Sequence, residues 1–260
     1  IAAKYVPERG RTAVPDRMTD NVTLSTMHGC PPDEIEKIAA YLIGEWGFHT
    51  NVKLNPTLLG PERLRQILNK DLGYADVVVP DAAFGHDLKY ADAVPMLKRL
   101  GEAAKARRVE FGVKLSNTLE VENYRDAFSK KEKMMYMSGR SLHAVTVNLA
   151  ARLSGEFKGG LMMSFSGGAD AFNVAHLLRC GMRTVTVSSD ILRTGGYLRL
   201  RQYIENTAAA MNDARAADLP DFICKEARKI EAFSSRFERA LFDSLKGGGS
   251  SAADKESCRN

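Results

Sequence analysis

The stretch from Leu161 to Tyr197, LMMSFSGGADAFNVAHLLRCGMRTVTVSSDILRTGGY, decides the fold. Its apolar runs Leu161–Met163 and Thr184–Val187 are short and β-compatible, and Ala171–Cys180 between them carries helical apolar spacing. The pattern is a parallel βαβ unit whose second turn opens another helix. Both strands end in small, amide-rich turns, Ser166-Gly167-Gly168 and Ser188-Ser189, at the same end of the sheet. On late strands of a (β/α)8 barrel, turns so placed hold a phosphate through free backbone N–H groups and a helix N-terminus. The same residues also fit a plain tight turn with serine helix caps.

Outward from this unit the alternation continues. Asn21–Ser25, Thr50–Leu54, Asp76–Val79 and Val109–Leu115 read as four earlier strands, giving six in all. Pro31-Pro32 followed by Asp33-Glu34 starts the first helix, with acids at the positive end of its dipole and Ile35, Ile38, Leu42 and Ile43 on one face. Further helices are expected over Pro61–Lys70, Ala91–Arg107, Leu142–Leu153 and Gly196–Met211, and a last one over Phe222–Leu245. The polar excursion Glu120–Lys133 reads as the longest internal loop, of the kind that becomes a lid.

Six strands fit an open doubly wound sheet or most of a barrel. Polar residues recur at nearly every strand's C-terminal end, whereas a doubly wound sheet would gather them at one switch point. The expected fold is therefore α/β, a (β/α)8 TIM-type barrel that lacks its first strands in this chain. Residues 1–20 read as a linker, 21–211 as the barrel, 212–245 as a helical extension and 246–260 as a low-complexity tail. A start at Ile1 rather than Met suggests a piece of a longer protein.

The 260 residues are 44% apolar and 27% charged, ordinary for a globular protein. A formal charge of +5 without a basic run gives no support to nucleic-acid binding, and no apolar stretch reaches the length of a membrane span. With no signal-peptide pattern, a cytoplasmic location is expected. Cys30, Cys180, Cys224 and Cys258 are scattered without a C-x-x-C, which argues against structural zinc, a self-contained iron–sulfur cluster and a disulfide framework.

Two strand ends look alike, Val52-Lys53-Leu54-Asn55-Pro56 and Val113-Lys114-Leu115-Ser116-Asn117. An inward lysine there needs either an anionic ligand or a carboxylate on a neighbouring strand. The run Ser25–Pro32 places Thr26, His28 and Cys30 close together, and a helix N-terminus just beyond Cys30 would lower its thiol pKa and equip it for acid, base or nucleophilic work. A small buried cysteine in a turn fits the spacing equally. Asp81, His86 and Asp87 are weak metal-ligand candidates on one loop, and no metal site is assigned.

Five segments together, STMHGCPPDEIEKIAAYLIGEWGFHTNVKLNPTLLG, EFGVKLSNT, MYMSGRSL, SFSGGADAFN and ILRTGGYLRL, resemble the YgfK-type selenate reductase subunit family, whose barrels are similar to dihydropyrimidine and dihydroorotate dehydrogenases. The resemblance spans about Asn21 to Ile204. It implies an FMN-dependent oxidoreductase barrel that passes electrons between a small substrate and an iron–sulfur or flavin partner, with any cluster held by that partner or by another domain. Carried over, Lys114 and Asn117 become flavin-ring or ribityl contacts, with Lys53 and Asn55 as the rival pair. Gly167, Gly168, Ser188 and Ser189 become the phosphate cup, while Thr26, His28 and Cys30 stand as the catalytic candidates read from the residues themselves. The sequence departs from the dehydrogenases around Thr23–Met27, where their catalytic cysteine would sit, and Cys30 is displaced from it. That departure motivates a second expectation, a cofactor-free barrel remnant acting as scaffold in a redox complex. A third is an aldolase-type lyase with a Schiff-base lysine.

Overall fold

The computed structural model describes residues 17–26, 28–124 and 127–233. Six strands occur there: β1 (Asn21–Ser25), β2 (His49–Leu54), β3 (Phe111–Leu115), β4 (Leu119–Glu122), β5 (Met134–Met137) and β6 (Met162–Phe165). The helices are α1 (Pro32–Gly44), α2 (Pro61–Arg65), α3 (Asp81–His86), α4 (Tyr90–Arg107), α5 (His143–Glu156), α6 (Val174–Arg179), α7 (Leu200–Asp213) and α8 (Leu219–Phe233). None of the described helices is long and apolar enough to cross a membrane.

The main sheet is parallel, in the order β1-β2-β3-β6. Phe165 bridges Val185, and the amides of Phe165 and Thr186 donate across to Thr184 and Phe165 carbonyls, both at 2.8 Å. The expected last strand, Thr184–Val187, is thus a short ladder beside β6. The parallel strands form an unclosed part of a barrel, and β1 has no strand on its outer edge among the described residues.

Side chains alternate across this sheet. Val52, Leu54, Val113, Leu115 and Phe165 are fully buried against the helices, in one core with Leu97 and Leu100 of α4 and Leu149 and Leu153 of α5. The opposite face carries Thr23, Ser25, Asn51, Lys53, Lys114 and Ser164, and the register aligns Ser25, Lys53, Lys114 and Ser164 in one row.

Several expectations need correction. Asp76–Val79 is not a sheet strand, because β2 pairs directly with β3. Val77 and Val79 are buried and Val78 exposed, so the segment is extended, but Asn69 Nδ2 donates to the carbonyls of Tyr74 and Val77, both at 2.8 Å, and the following Pro80 has no N–H to offer a ladder. It meets a strand where the Glu122 amide donates to the Val78 carbonyl, 2.9 Å. The supposed lid begins and ends in the antiparallel β4–β5 hairpin, with Leu119 and Val121 fully buried. Within its turn, Asn123 Nδ2 donates to the Phe128 and Glu132 carbonyls at 3.1 and 2.9 Å.

On α1 the buried positions are Ile35, Ala39 and Ile43, while Ile38 is turned out. α7 begins at Leu200, after a 3-10 turn over Gly196–Arg199. α8 packs on α6: Phe222 is fully buried under the Arg179 guanidinium, 5.6 Å from its ring centroid, and Arg179 pairs with Glu226 at 3.1 Å. Before β1, Arg17 donates to the Gly47 carbonyl at 3.2 Å and lies over the Phe48 ring. The rest of the expected linker (1–16), the end of the last helix and the tail (246–260) lie outside the described residues.

Candidate functional site at the strand ends

The C-terminal ends of β1, β2 and β3 are stitched together by polar side chains. Thr26 Oγ1 donates to the Lys53 carbonyl at 3.1 Å. Asn117 Nδ2 donates to the Thr26 carbonyl at 3.0 Å and to Asn55 Oδ1 at 2.8 Å, and its backbone amide donates to the Leu54 carbonyl at 2.8 Å. Thr26, Asn55 and Asn117 therefore lie where the sequence put them but spend these groups holding three strand ends in register. None of the three lines the cavity beside them.

That cavity, of about 410 Å³, lies between Lys53 and Ser116 on one side and the turns at Ser138–Arg140, Gly168–Asp170 and Thr186–Asp190 on the other. It brings together four expected residues, Lys53, Gly168, Ser188 and Ser189, from widely separated parts of the chain. Gly167 stands behind the wall. A Cβ on Gly167 would strike Thr146 Oγ1, with Thr146 Cβ at 2.7 Å, and a Cβ on Gly168, whose φ is +83°, would strike the Gly139 carbonyl oxygen. These glycines are thus required by close packing of the turns against α5 and the 139–140 backbone.

Lys53 and Lys114 sit at paired positions on β2 and β3, and neither has an ion-pair or hydrogen-bond partner for its ammonium among the described residues. Burial, with the charge of Lys114 second, pushes the Lys53 pKa below the ordinary lysine value. Of the two partners the sequence left open for these lysines, a neighbouring carboxylate is absent among the described residues.

The acids of the wall are already matched. Asp170 pairs with Arg140 at 2.7 Å. Asp190 accepts from Arg199 Nε and an Arg199 terminal nitrogen at 3.1 and 3.0 Å and from the Tyr203 hydroxyl at 2.7 Å. Burial pushes Asp190 up, but Arg199, Tyr203 and the nearby Arg193 charge outweigh it and hold its pKa below the usual carboxylate value. Arg193 lines the cavity without an ion pair among the described residues. The cavity is therefore electropositive through Lys53, its neighbour Lys114, and Arg193. Sequence reading missed Arg140, Asp170, Asp190, Arg193 and the buried Ser116, whose Oγ lies 3.0 Å from Thr146 Oγ1. The one available signal was their position immediately beside the glycine and serine turns.

The loop after β1 goes elsewhere. His28 Nδ1 lies 3.2 Å from both oxygens of the buried Asp87. Cys30 is partly buried, and burial, with Glu34 and Asp33 next, pushes its thiol pKa up. This reverses the expected direction: burial leads, and the two carboxylates of the first turn of α1 push the same way. Neither His28 nor Cys30 lines the cavity.

Comparison with known proteins agrees with this architecture. A family profile described as "Oxidoreductase YgfK, N-terminal TIM-barrel domain" matches residues 3–238. The chain is 48% identical over 187 residues to proteins of Escherichia coli K12 and of Escherichia coli O157:H7 that carry the name oxidoreductase YgfK, a match covering 72% of this chain and 18% of each relative. It thus spans under a fifth of the length of the curated relatives it matches. Among solved structures, ligand-free DHODH from Eimeria tenella superposes with a TM-score of 0.51 at 14% identity, covering 80% of this chain and 55% of the other. At that identity the likeness concerns the fold.

Proposed function

The chain belongs to the family of N-terminal TIM-barrel domains of oxidoreductase YgfK, and on that footing we propose that it is the flavin-binding barrel of an oxidoreductase, holding FMN at the ends of β2, β3 and β6. One observation carries this reading: Lys53, partly desolvated and without a carboxylate partner among the described residues, lines a cavity that also holds Arg193, and Lys114 stands beside it on the next strand. Burying like charges together is costly unless an anion meets them. The cavity volume, about 410 Å³, lies in the range of small-molecule sites.

In this assignment Lys53 and Lys114 would hold the flavin ring, and Arg193 with the Gly168 and Ser188-Ser189 turns would hold the phosphate. Asn55, Asn117 and Thr26 position the lysine-bearing strand ends. The bound flavin supplies the electron-transfer chemistry. Cys30, with its thiol pKa raised and outside the cavity lining, is a poor candidate for a nucleophile in this site. Because the chain spans only 18% of its relatives, the small-molecule substrate, the selenate label and an iron–sulfur or flavin electron partner are further parts of the proposal.

Quenching of flavin fluorescence during titration tests it. The paired change Lys53→Met with Lys114→Met is expected to weaken FMN by at least about 100-fold, from the loss of two charge-assisted contacts. Unchanged affinity in a folded double variant refutes the assignment. The lowered pKa of Lys53 supports a second reading, a Schiff-base lysine acting on a carbonyl substrate. Borohydride trapping of an adduct on Lys53 would favour that reading over the flavin.

A further inference from the structure

A second polar cluster, outside the cavity wall, joins three segments that the sheet does not connect. His28 follows β1, His86 ends α3, and Asp87 comes directly after it. One ligating atom from each lies within 4.8 Å of the others. Glu120 of β4 approaches His86 from the hairpin, with its Oε2 3.4 Å from His86 Nε2. His86 Nε2 lies 3.8 Å from Asp87 Oδ1, and His28 Nδ1 lies 3.2 Å from it.

These separations bear directly on what the cluster can hold. With metal–ligand bonds of about 2.0–2.2 Å, the ligand atoms of a tetrahedral site stand roughly 3.4 Å apart. Three of the six edges such a site would have, 3.2, 3.4 and 3.8 Å, lie near that value. The carboxylate is also built to stay in place, since Asp87 is 4% exposed and accepts from Thr57 Oγ1 at 2.8 Å and the Gly29 amide at 3.3 Å. Such supporting donors fix a ligating carboxylate's orientation.

Simple ion pairing accounts less well for the same atoms. His28 Nε2 is buried and has no hydrogen-bond partner. An imidazolium paired to Asp87 through Nδ1 would bury a charged N–H there with no acceptor, whereas a ring bound to a cation at Nδ1 leaves a neutral N–H. Two imidazoles and two carboxylates also match the donor preference of zinc and similar borderline divalent ions over calcium or magnesium.

We propose that His28, His86 and Asp87 bind a divalent transition-metal ion of the zinc type, with the Glu120 carboxylate beside His86 as the fourth donor once it turns in, and that the ion clamps α3 and the β4–β5 hairpin to the loop after β1. With Glu120 turned in, four protein donors leave no open position, so the site is structural and takes no part in the oxidoreductase chemistry.

The test is equilibrium dialysis of the flavin-free, metal-stripped protein against Zn2+, with elemental analysis and thermal denaturation on the same samples. One zinc per chain and a raised melting temperature are expected. Since the His86 side chain is 40% exposed and Glu120→Gln keeps the side chain's size, His86→Ala and Glu120→Gln can both be made without emptying the core. His86→Ala is expected to weaken zinc by at least about 100-fold, the upper end for loss of a supporting group. Both variants are expected to abolish the zinc-induced thermal shift. Failure of the parent protein to take up zinc, or uptake with an unchanged thermal shift in both variants, overturns the site.

Discussion

Replacing Lys53 with Met should do two things of opposite sign. Lys53 faces Lys114 across adjacent strands whose backbones stand about 4.8 Å apart. Like charges directly opposite on a sheet cost roughly 0.2–1 kcal/mol, and here no carboxylate among the described residues offsets them. Met keeps the length and apolar stem of lysine and removes the repulsion together with the cost of desolvating the ammonium. The ligand-free protein should therefore gain up to about 1 kcal/mol, or roughly 2–4 °C in melting temperature for a chain of this size. FMN binding should move the other way. Loss of one charge-assisted contact, about 1.5–3 kcal/mol, weakens affinity by about 10- to 150-fold. Thermal denaturation without ligand and fluorescence titration with FMN read the two effects separately. A lysine that served only the fold would lower the melting temperature when removed and leave FMN affinity unchanged, and that result would refute the reasoning.

Other outcomes follow from the same geometry. Gly167→Ala should destabilise by about 1–3 kcal/mol through collision with Thr146, and adding Thr146→Ala should recover part of the loss, a coupling that urea denaturation of the double-mutant cycle measures. Asp190 has a folded pKa below its ordinary value, so its contribution is complete above about pH 4 and is lost as pH falls through the lowered value. Asp190→Asn should therefore be less stable than the parent at neutral pH and lose less on acidification, as denaturant midpoints across that range would show. FMN affinity should fall on alkaline titration at a pH below the ordinary lysine value, as Lys53 loses its proton, and Lys53→Met should remove that step. A pH-independent affinity up to the lysine range would contradict it.

Much of the fold is legible from local pattern. The βαβ unit from Leu161 to Tyr197 declares itself by short apolar runs and glycine turns, and Pro31-Pro32 with Asp33-Glu34 declares the start of α1. The run Asp76–Val79 misleads because an apolar triplet is equally at home in an extended segment whose carbonyls are capped by a side chain, here Asn69. The β4–β5 hairpin was readable in principle, since Leu119 and Val121 alternate with Glu120 and Glu122, but the charged residues around it suggested a loop. On α1, helical spacing alone does not separate Ile38 from Ala39, and packing against α4 selects the smaller residue.

The site was legible in its turns and lysines rather than in its chemistry. Lys53, Gly168, Ser188 and Ser189 converge as strand-end logic requires, because parallel strands deliver their C-terminal turns to one side. Asn55 and Asn117 carry the right residue types at the right ends, yet only three-dimensional contact reveals that their amides bond each other. The pairing of His28 with Asp87 joins residues 59 positions apart, and no spacing rule connects them. The direction of the Cys30 shift is set first by burial and then by Glu34 and Asp33, and the burial is not visible in residue order.

The most direct test of the central claim is the visible absorption spectrum of the purified protein before and after addition of FMN and removal of unbound flavin. A retained flavin spectrum at close to one equivalent per chain, lost in the Lys53→Met and Lys114→Met double variant, is the expected result. A colourless protein that releases all added FMN would contradict the flavin assignment and favour a scaffold role in a larger redox assembly.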